Sequence, residues 1–342
     1  MNKFILIVGL ISLLISCKTD VDVNAPYDTV PIVYGILDQS KDTQFIKINK
    51  TFLGENNQAY AGINDSNLFK NVEARVEQYT NGSLGNVYSL EEIWVKNIDE
   101  GIFYTDSQKV YYFVEPNLDR NSTYKLVGTA DNKNFSAETD MIGTFNFSNF
   151  TILSTQNGLT LSAGNGVYSS FLPKWEPAAN AALYDLSLRV YFDEHTASGI
   201  NRRSVDWFVG KLNNDSISSG LLERTVDGEL FYQYLASLDK LNDVTDVIKR
   251  VIRNVEVRVT AANETFNTYI EVNEPITNII TERPEYTNIS GGFGLFASRQ
   301  VLTLDRKLNK FSVEELSEGQ LTGNQLFCSD SVDYNTESYY CP

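Results

Sequence analysis

Polar and apolar residues alternate along much of this chain with a period of two, the spacing of a half-buried β-strand. The clearest case is 71–79, where Val72, Ala74 and Val76 alternate with Glu73, Arg75 and Glu77. β-Branched and aromatic stretches at 29–37, 44–49, 88–95, 110–114 and 124–130 extend the series. Turn-forming residues separate them at Asn81-Gly82, Pro116-Asn117 and Asp131-Asn132-Lys133-Asn134. No helical period intervenes before residue 140, so this half predicts a sandwich of two antiparallel sheets. Leu118, six residues before the strand-opening Tyr124, fits a tyrosine corner, in which the phenol ties the chain back to its own backbone.

A boundary is expected near 143–149, after which 159–163 and 171–175 read as strands. Trp175, Pro177 and Tyr184 then precede the alternating Leu186, Leu188, Val190 and Phe192. That order resembles the early strands of a fibronectin type III-like module, which places the Trp175 indole in the core; the functional alternative is a stacking platform for a sugar. Leu230, Phe231, Tyr234, Leu235, Leu238 and Leu241 share one helical face, and Val244, Val247, Ile248, Val251 and Ile252 repeat the pattern. Val255, Val257 and Val259 resume strand alternation, followed by strands at 266–272 and 298–304. The fold class is therefore mainly β, with two immunoglobulin- or fibronectin type III-like sandwich domains at 29–145 and 146–310. The second carries helices near 229–253, and 311–342 forms a C-terminal tail.

The first residues carry a different signal. One charge at Lys3 precedes an apolar run over 4–14, shorter than the about 20 residues a membrane span needs. Leu14-Ile15-Ser16-Cys17 closes it in the manner of a lipoprotein signal, with a small residue before a thiol that accepts the lipid. Residues 1–16 are then the signal peptide, Cys17 the lipidated residue and 17–28 a polar tether. Lys18 directly after the cysteine, with Asp20 and Asp22 close behind, points to the outer membrane and to its external rather than its periplasmic face.

Composition narrows the partners. The formal net charge is −16, from 28 basic and 44 acidic residues, and no basic cluster offers a phosphate-binding surface, which argues against nucleic acid. With Cys17 lipidated, Cys328 and Cys341 remain to form a disulfide in an oxidising compartment, worth about 3 kcal/mol for a loop of this size.

Candidate chemistry is sparse. His195 is the only histidine, within the polar Asp193-Glu194-His195-Thr196, which reads as an exposed turn. No G-x-S-x-G elbow partners it, and a zinc site lacks ligands. Ser237 and Lys240 match S-x-x-K without its companion motifs. The aspartates of Asn213-Asn-Asp-Ser and of Ser329-Asp-Ser-Val-Asp333 do not follow EF-hand spacing. Gly291-Gly-Phe-Gly294 reads as a close backbone approach rather than a phosphate loop. No cofactor, metal or catalytic residue is assigned, and the chain is not expected to be an enzyme.

The lipoprotein-type start, the two β-rich halves and the stretch Tyr286-Thr-Asn288-Ile289-Ser-Gly291-Gly292-Phe293-Gly294-Leu295-Phe296 together resemble a group of Bacteroidota lipoproteins carrying a domain of unknown function. The family is often found beside TonB-dependent outer-membrane receptors. The resemblance implies a non-enzymatic accessory or interaction partner of an outer-membrane transporter or assembly complex. The alternative is a surface module that captures glycan or peptide, for which 19 Tyr, 19 Phe and 3 Trp leave material.

Overall fold

The computed structural model describes residues 29–51, 68–96, 107–148, 158–214, 217, 220–273 and 285–341. The predicted signal peptide, Cys17 and the tether lie outside these described residues.

The first half forms β1 (Pro31–Asp38), β2 (Thr43–Lys50), β3 (Val72–Thr80), β4 (Ser83–Ser89), β5 (Glu91–Lys96), β6 (Ser107–Val114), β7 (Ser122–Ala130) and β8 (Lys133–Asp140). Four of them pair as a sheet in the order β4-β3-β7-β8. Its inner residues Val76, Tyr124, Leu126 and Phe135 pack against Val33, Leu37, Ile46 and Ile48 of β1 and β2. Each such side chain contributes roughly 1.5–3 kcal/mol through burial, which is why the period-two pattern settles on this face. The 88–95 stretch, expected as one strand, is two. Leu90, whose N–H donates to the Ala74 carbonyl at 2.9 Å, separates β4 in one sheet from β5 in the other.

The second half opens with short pieces, β9 (Ser162–Gly164), β10 (Val167–Tyr168), β11 (Ser170–Phe171) and β12 (Lys174–Trp175). Two long strands follow, β13 (Ala181–Thr196) and β14 (Gly199–Asn213). After β15 (Leu222–Glu223) and β16 (Val226–Asp227) come helices α1 (Gly228–Ala236) and α2 (Asp239–Asn242). The chain continues through β17 (Val247–Asn263), α3 (Glu264–Asn273), β18 (Phe293–Arg306), α4 (Lys310–Glu318) and β19 (Phe327–Cys328).

A nine-stranded sheet runs β14-β13-β17-β18-β1-β2-β6-β5, with β19 on β17. Its middle is the parallel pairing of β18 with β1, in which Tyr34 lies beside Leu295 and Gly35 beside Phe296. The sheet therefore continues across the expected boundary at 145–146. One of its faces is covered at both ends, by the four-stranded sheet at one and by α1, α4 and the short strands at the other. The chain is mainly β and sandwich-like.

Two segments exchange type. Residues 247–252, expected to be helical, open β17, and 266–272, expected to be a strand, lie in α3. The Asn263 side chain accepts the Phe266 N–H at 3.1 Å and so caps the first turn of α3. Helix α1 holds where its apolar face predicts, capped by Asp227, which accepts the Leu230 N–H at 3.0 Å. Residues 311–341 of the expected C-terminal tail pack on the second half, since Val313, Leu316, Phe327 and Tyr339 enter the core.

Both halves carry a tyrosine tie. The Tyr124 hydroxyl accepts the Asp119 N–H at 2.8 Å, and the Tyr184 hydroxyl accepts the Ala178 N–H at 2.7 Å. Trp175 is fully buried against Tyr184, which removes the stacking-platform alternative.

Candidate functional site

The glycine-rich stretch positions the most distinctive surface of the molecule. The Asn288 side chain makes a two-point pair with Phe296, accepting its N–H at 2.9 Å and donating to its carbonyl at 2.7 Å. Ser290 exchanges backbone hydrogen bonds with Ser136, tying the stretch to β8. Gly291 (φ +76°) and Gly294 (φ +118°) adopt backbone conformations that side chains disfavour. A Cβ on Gly294 would stand 2.0 Å from the Val33 carbonyl oxygen. Close packing onto β1 thus requires glycine, and it leaves Phe293 projecting at the start of β18.

Around Phe293 lies a cleft of about 400 Å³, walled by β1, β18, α3 and the residues leading into β18. Tyr34, Tyr269, Tyr286 and Phe293 supply its aromatic lining, and Asn273 and Glu285 its polar groups. Tyr34 and Phe293 are 42% and 46% exposed, so both rings meet solvent at the cleft. Tyr34 and Tyr269 meet edge to face with ring centroids 6.2 Å apart, and the Tyr269 hydroxyl donates to Tyr34 at 3.4 Å. The shared hydrogen bond, together with burial, pushes the Tyr34 phenol up to about 12, so it is neutral at physiological pH. Such a cleft offers apolar ring surface, phenolic hydroxyls, one amide and one carboxylate. It suits a neutral ligand with apolar patches and hydroxyl or amide groups.

Two further cavities among the described residues carry several charged side chains in their linings. A cleft of about 380 Å³ is bounded by Arg202, Arg253, Lys307 and Asp330. There Asp193 bridges Arg202 and Arg253, and Arg253 reaches on to Asp330 at 2.7 Å. Burial alone would raise the Asp193 carboxyl, but hydrogen bonds and charge from Arg253 and Arg202 outweigh it and hold the group below the usual range. A third cavity, about 620 Å³, opens at the β13–β14 hairpin between Glu194, Ser198, Arg203 and Lys240. Next to these, Cys328 is bonded to Cys341 with their Cα atoms 5.0 Å apart, and both pack on Val251.

The sequence-selected chemical residues do not converge. His195 sits within β13, between Ile200 of β14 and Lys249 of β17, rather than in an exposed turn; the turn is at Ala197-Ser198. Its Nε2 is buried with no hydrogen-bond partner. Ser237 ends α1, with its hydroxyl donating to the Tyr234 carbonyl at 2.7 Å. Among the described residues, no group of three or more His, Cys, Asp or Glu side chains is placed to hold a metal ion. Asp215 lies outside the described residues. No helix among the described residues is long and apolar enough to cross a membrane. The aromatic cleft was not singled out from the sequence; the glycine-rich stretch that carries Phe293 was the one local signal for it.

No known family model matches the chain, and no curated protein matches it. Among solved structures, it is similar to a DUF4785 family protein from Legionella pneumophila, at 13% identity and a TM-score of 0.20. That match covers 67% of this chain and 52% of the other. It is also similar to the C-terminal globular domain of an oligosaccharyltransferase from Pyrococcus abyssi, at 12% identity and a TM-score of 0.20. There the coverage is 68% of this chain and 45% of the other, so the match spans about half of each structure it meets.

Proposed function

We propose that this chain is a non-enzymatic lipoprotein, anchored in the outer membrane through Cys17 and facing outward. It captures a glycan or peptide for an outer-membrane transporter of the TonB-dependent type. The observation that carries the reading is the aromatic cleft of Tyr34, Tyr269, Tyr286 and Phe293, in which Tyr34 and Phe293 are exposed and Phe293 stands beside the glycine-dependent approach of β18 to β1. The anchor rests on Leu14-Ile15-Ser16-Cys17 and the resemblance to Bacteroidota lipoproteins.

The test is ligand-dependent thermal stabilisation of the full chain against panels of oligosaccharides and short peptides, with Tyr34→Ala as control. A ligand at 100 times its Kd raises Tm by about 4 °C, and the variant loses the shift. No shift with either panel, or an equal shift in the variant, counts against capture. Separately, Cys17→Ala releases the protein from membranes; a variant that stays bound after an alkaline wash contradicts the anchor.

A second reading, docking to an assembly complex, is favoured by β14. It is a 15-residue edge strand of the large sheet, with Ile200 and Phe208 more than half exposed. Charged substitutions at Ile200 and Phe208 test it, by abolishing co-purification of an envelope partner while ligand binding persists.

A further inference from the structure

The cleft does not end at Tyr34. The nine-stranded sheet has a second face, and along β1, β2 and β6 its side chains point away from the core. Tyr34 on β1 stands in register with Lys47 on β2, and Phe45 on β2 stands in register with Tyr112 on β6. The Phe45 and Tyr112 rings are 6.3 Å apart, and Phe45 is half exposed. Phe293 is in register with Ile32, two residues before Tyr34, and Phe45 lies two residues before Lys47, so Phe293, Tyr34, Phe45 and Tyr112 form a diagonal row across four adjacent strands, β18-β1-β2-β6. Fixed polar groups punctuate the row. Lys47 Nζ donates to Gln108 Oε1 at 2.9 Å, and the Tyr112 hydroxyl donates to the Glu91 carboxylate at 2.9 Å.

We infer that this row is the binding track of an extended neutral glycan whose end or branch sits in the cleft. The inference rests on the capture reading above and narrows it to one ligand class. Sugar rings present apolar C–H faces to aromatic rings and hydroxyls to amides, amines and carboxylates, and the row alternates those two kinds of group. A peptide strand gains its affinity from a ladder of main-chain hydrogen bonds. Within the sheet, β18, β1, β2 and β6 spend their ladders on one another, so the face offers side chains alone. Charge decides the rest. The track holds a cation at Lys47 and carboxylates at Glu91 and, in the cleft, at Glu285, which disfavours an anionic ligand, and a net charge of −16 repels polyanions.

Affinity electrophoresis of the full chain in non-ionic detergent tests this. Gels contain hydroxyethylcellulose, xyloglucan or galactomannan as neutral glycans, or alginate as an anionic one. Casein-derived peptides are tested in parallel by thermal shift. The expected result is retardation by at least one neutral glycan and not by alginate. Retardation weakens about tenfold in Tyr34→Ala and again in Phe45→Ala and Tyr112→Ala, all with unchanged melting curves. Sensitivity at Tyr34 and Phe293 with none at Phe45 and Tyr112 overturns the track and leaves the cleft. Binding of peptides or alginate without any neutral glycan overturns the ligand class and leaves capture. No binding of any probe, or glycan binding insensitive to all four aromatic residues, removes the inference and the capture reading together.

Discussion

The fully buried guanidinium of Arg250 donates from Nε to Glu194 Oε2 at 3.0 Å. Its other donors reach backbone carbonyls of Leu241 (2.6 Å), Gln325 (2.9 Å), Asp243 (3.1 Å) and Lys240 (3.4 Å). One side chain therefore ties β17 to β13, to the α2 segment and to the residues leading into β19. An unpartnered buried charge is costly, whereas this one is satisfied on every side. Arg250→Met removes the donor from four carbonyls and one carboxylate. It is expected to lower stability by about 3–5 kcal/mol, read by urea denaturation. A loss under about 1 kcal/mol contradicts the network.

The two tyrosine ties give a matched pair of tests. Tyr124→Phe and Tyr184→Phe keep the ring and remove only the acceptor of the Asp119 and Ala178 N–H groups. Each variant is expected to lose about 1–3 kcal/mol, the range for leaving a buried donor without a partner. Equilibrium unfolding checks both; a neutral Tyr184→Phe shows that the second tie is incidental.

Two aspartates should respond to pH with opposite signs. Asp185 has an Oδ1 that is buried without a hydrogen-bond partner, and burial raises its carboxyl despite nearby Lys211. A raised folded value means that stability falls as pH climbs from about 3.9 through that value. Asp185→Asn is therefore expected to gain on wild type at pH 7 and to lose that advantage near pH 3. The lowered carboxyl of Asp193 contributes stability above about pH 3.9, lost as pH falls through its folded value, so Asp193→Asn should be most damaging at neutral pH. Denaturant midpoints at the two pH values decide both; parallel shifts for the two variants contradict the assignment.

Closure of the Cys328–Cys341 loop anchors β19 beside Val251 and Arg250. Replacing both cysteines with serine is expected to lower stability by about 3 kcal/mol. It should also speed hydrogen exchange at the Arg250 N–H, which donates to the Leu326 carbonyl at 2.8 Å. Unchanged exchange there separates the loop from the strand pairing.

What the sequence made legible was local. Strand alternation in β3 and β7, the Leu118–Tyr124 corner and the apolar face of α1 each arise from a few neighbouring residues. The misread start of β17 has a specific cause. A bulge sets Val190 opposite Val255 and Phe192 opposite Ile252, so two residues of β17 face one of β13. Val247, Ile248, Val251 and Ile252 fall at helical spacing, yet Ile252 enters the main core, Val251 packs on the disulfide and Ile248 is exposed, so their apolar character serves different faces of a strand. In α3, the aromatic and β-branched Phe266, Tyr269, Ile270 and Val272 suggested a strand, while the Asn263 cap was the overlooked helix signal. The 15 residues of β14 carry no clear strand signal, because Arg202, Arg203, Asp206 and Lys211 break its apolar rhythm; pairing with β13 fixes it instead. The cleft was beyond local reading, since Tyr34 and Tyr269 are 235 positions apart and meet only through the β1–β18 pairing.

Exposed rings on the outer sheet face are proposed to bind a neutral glycan. Saturation-transfer NMR reads this contact, by irradiating the aromatic protons of the full chain and observing in turn soluble oligosaccharides of cellulose, xyloglucan and galactomannan. Transfer to the sugar ring protons is expected for at least one of them, falling sharply in Tyr34→Ala and Phe293→Ala with the fold intact. No transfer, or equal transfer from both variants and wild type, contradicts it.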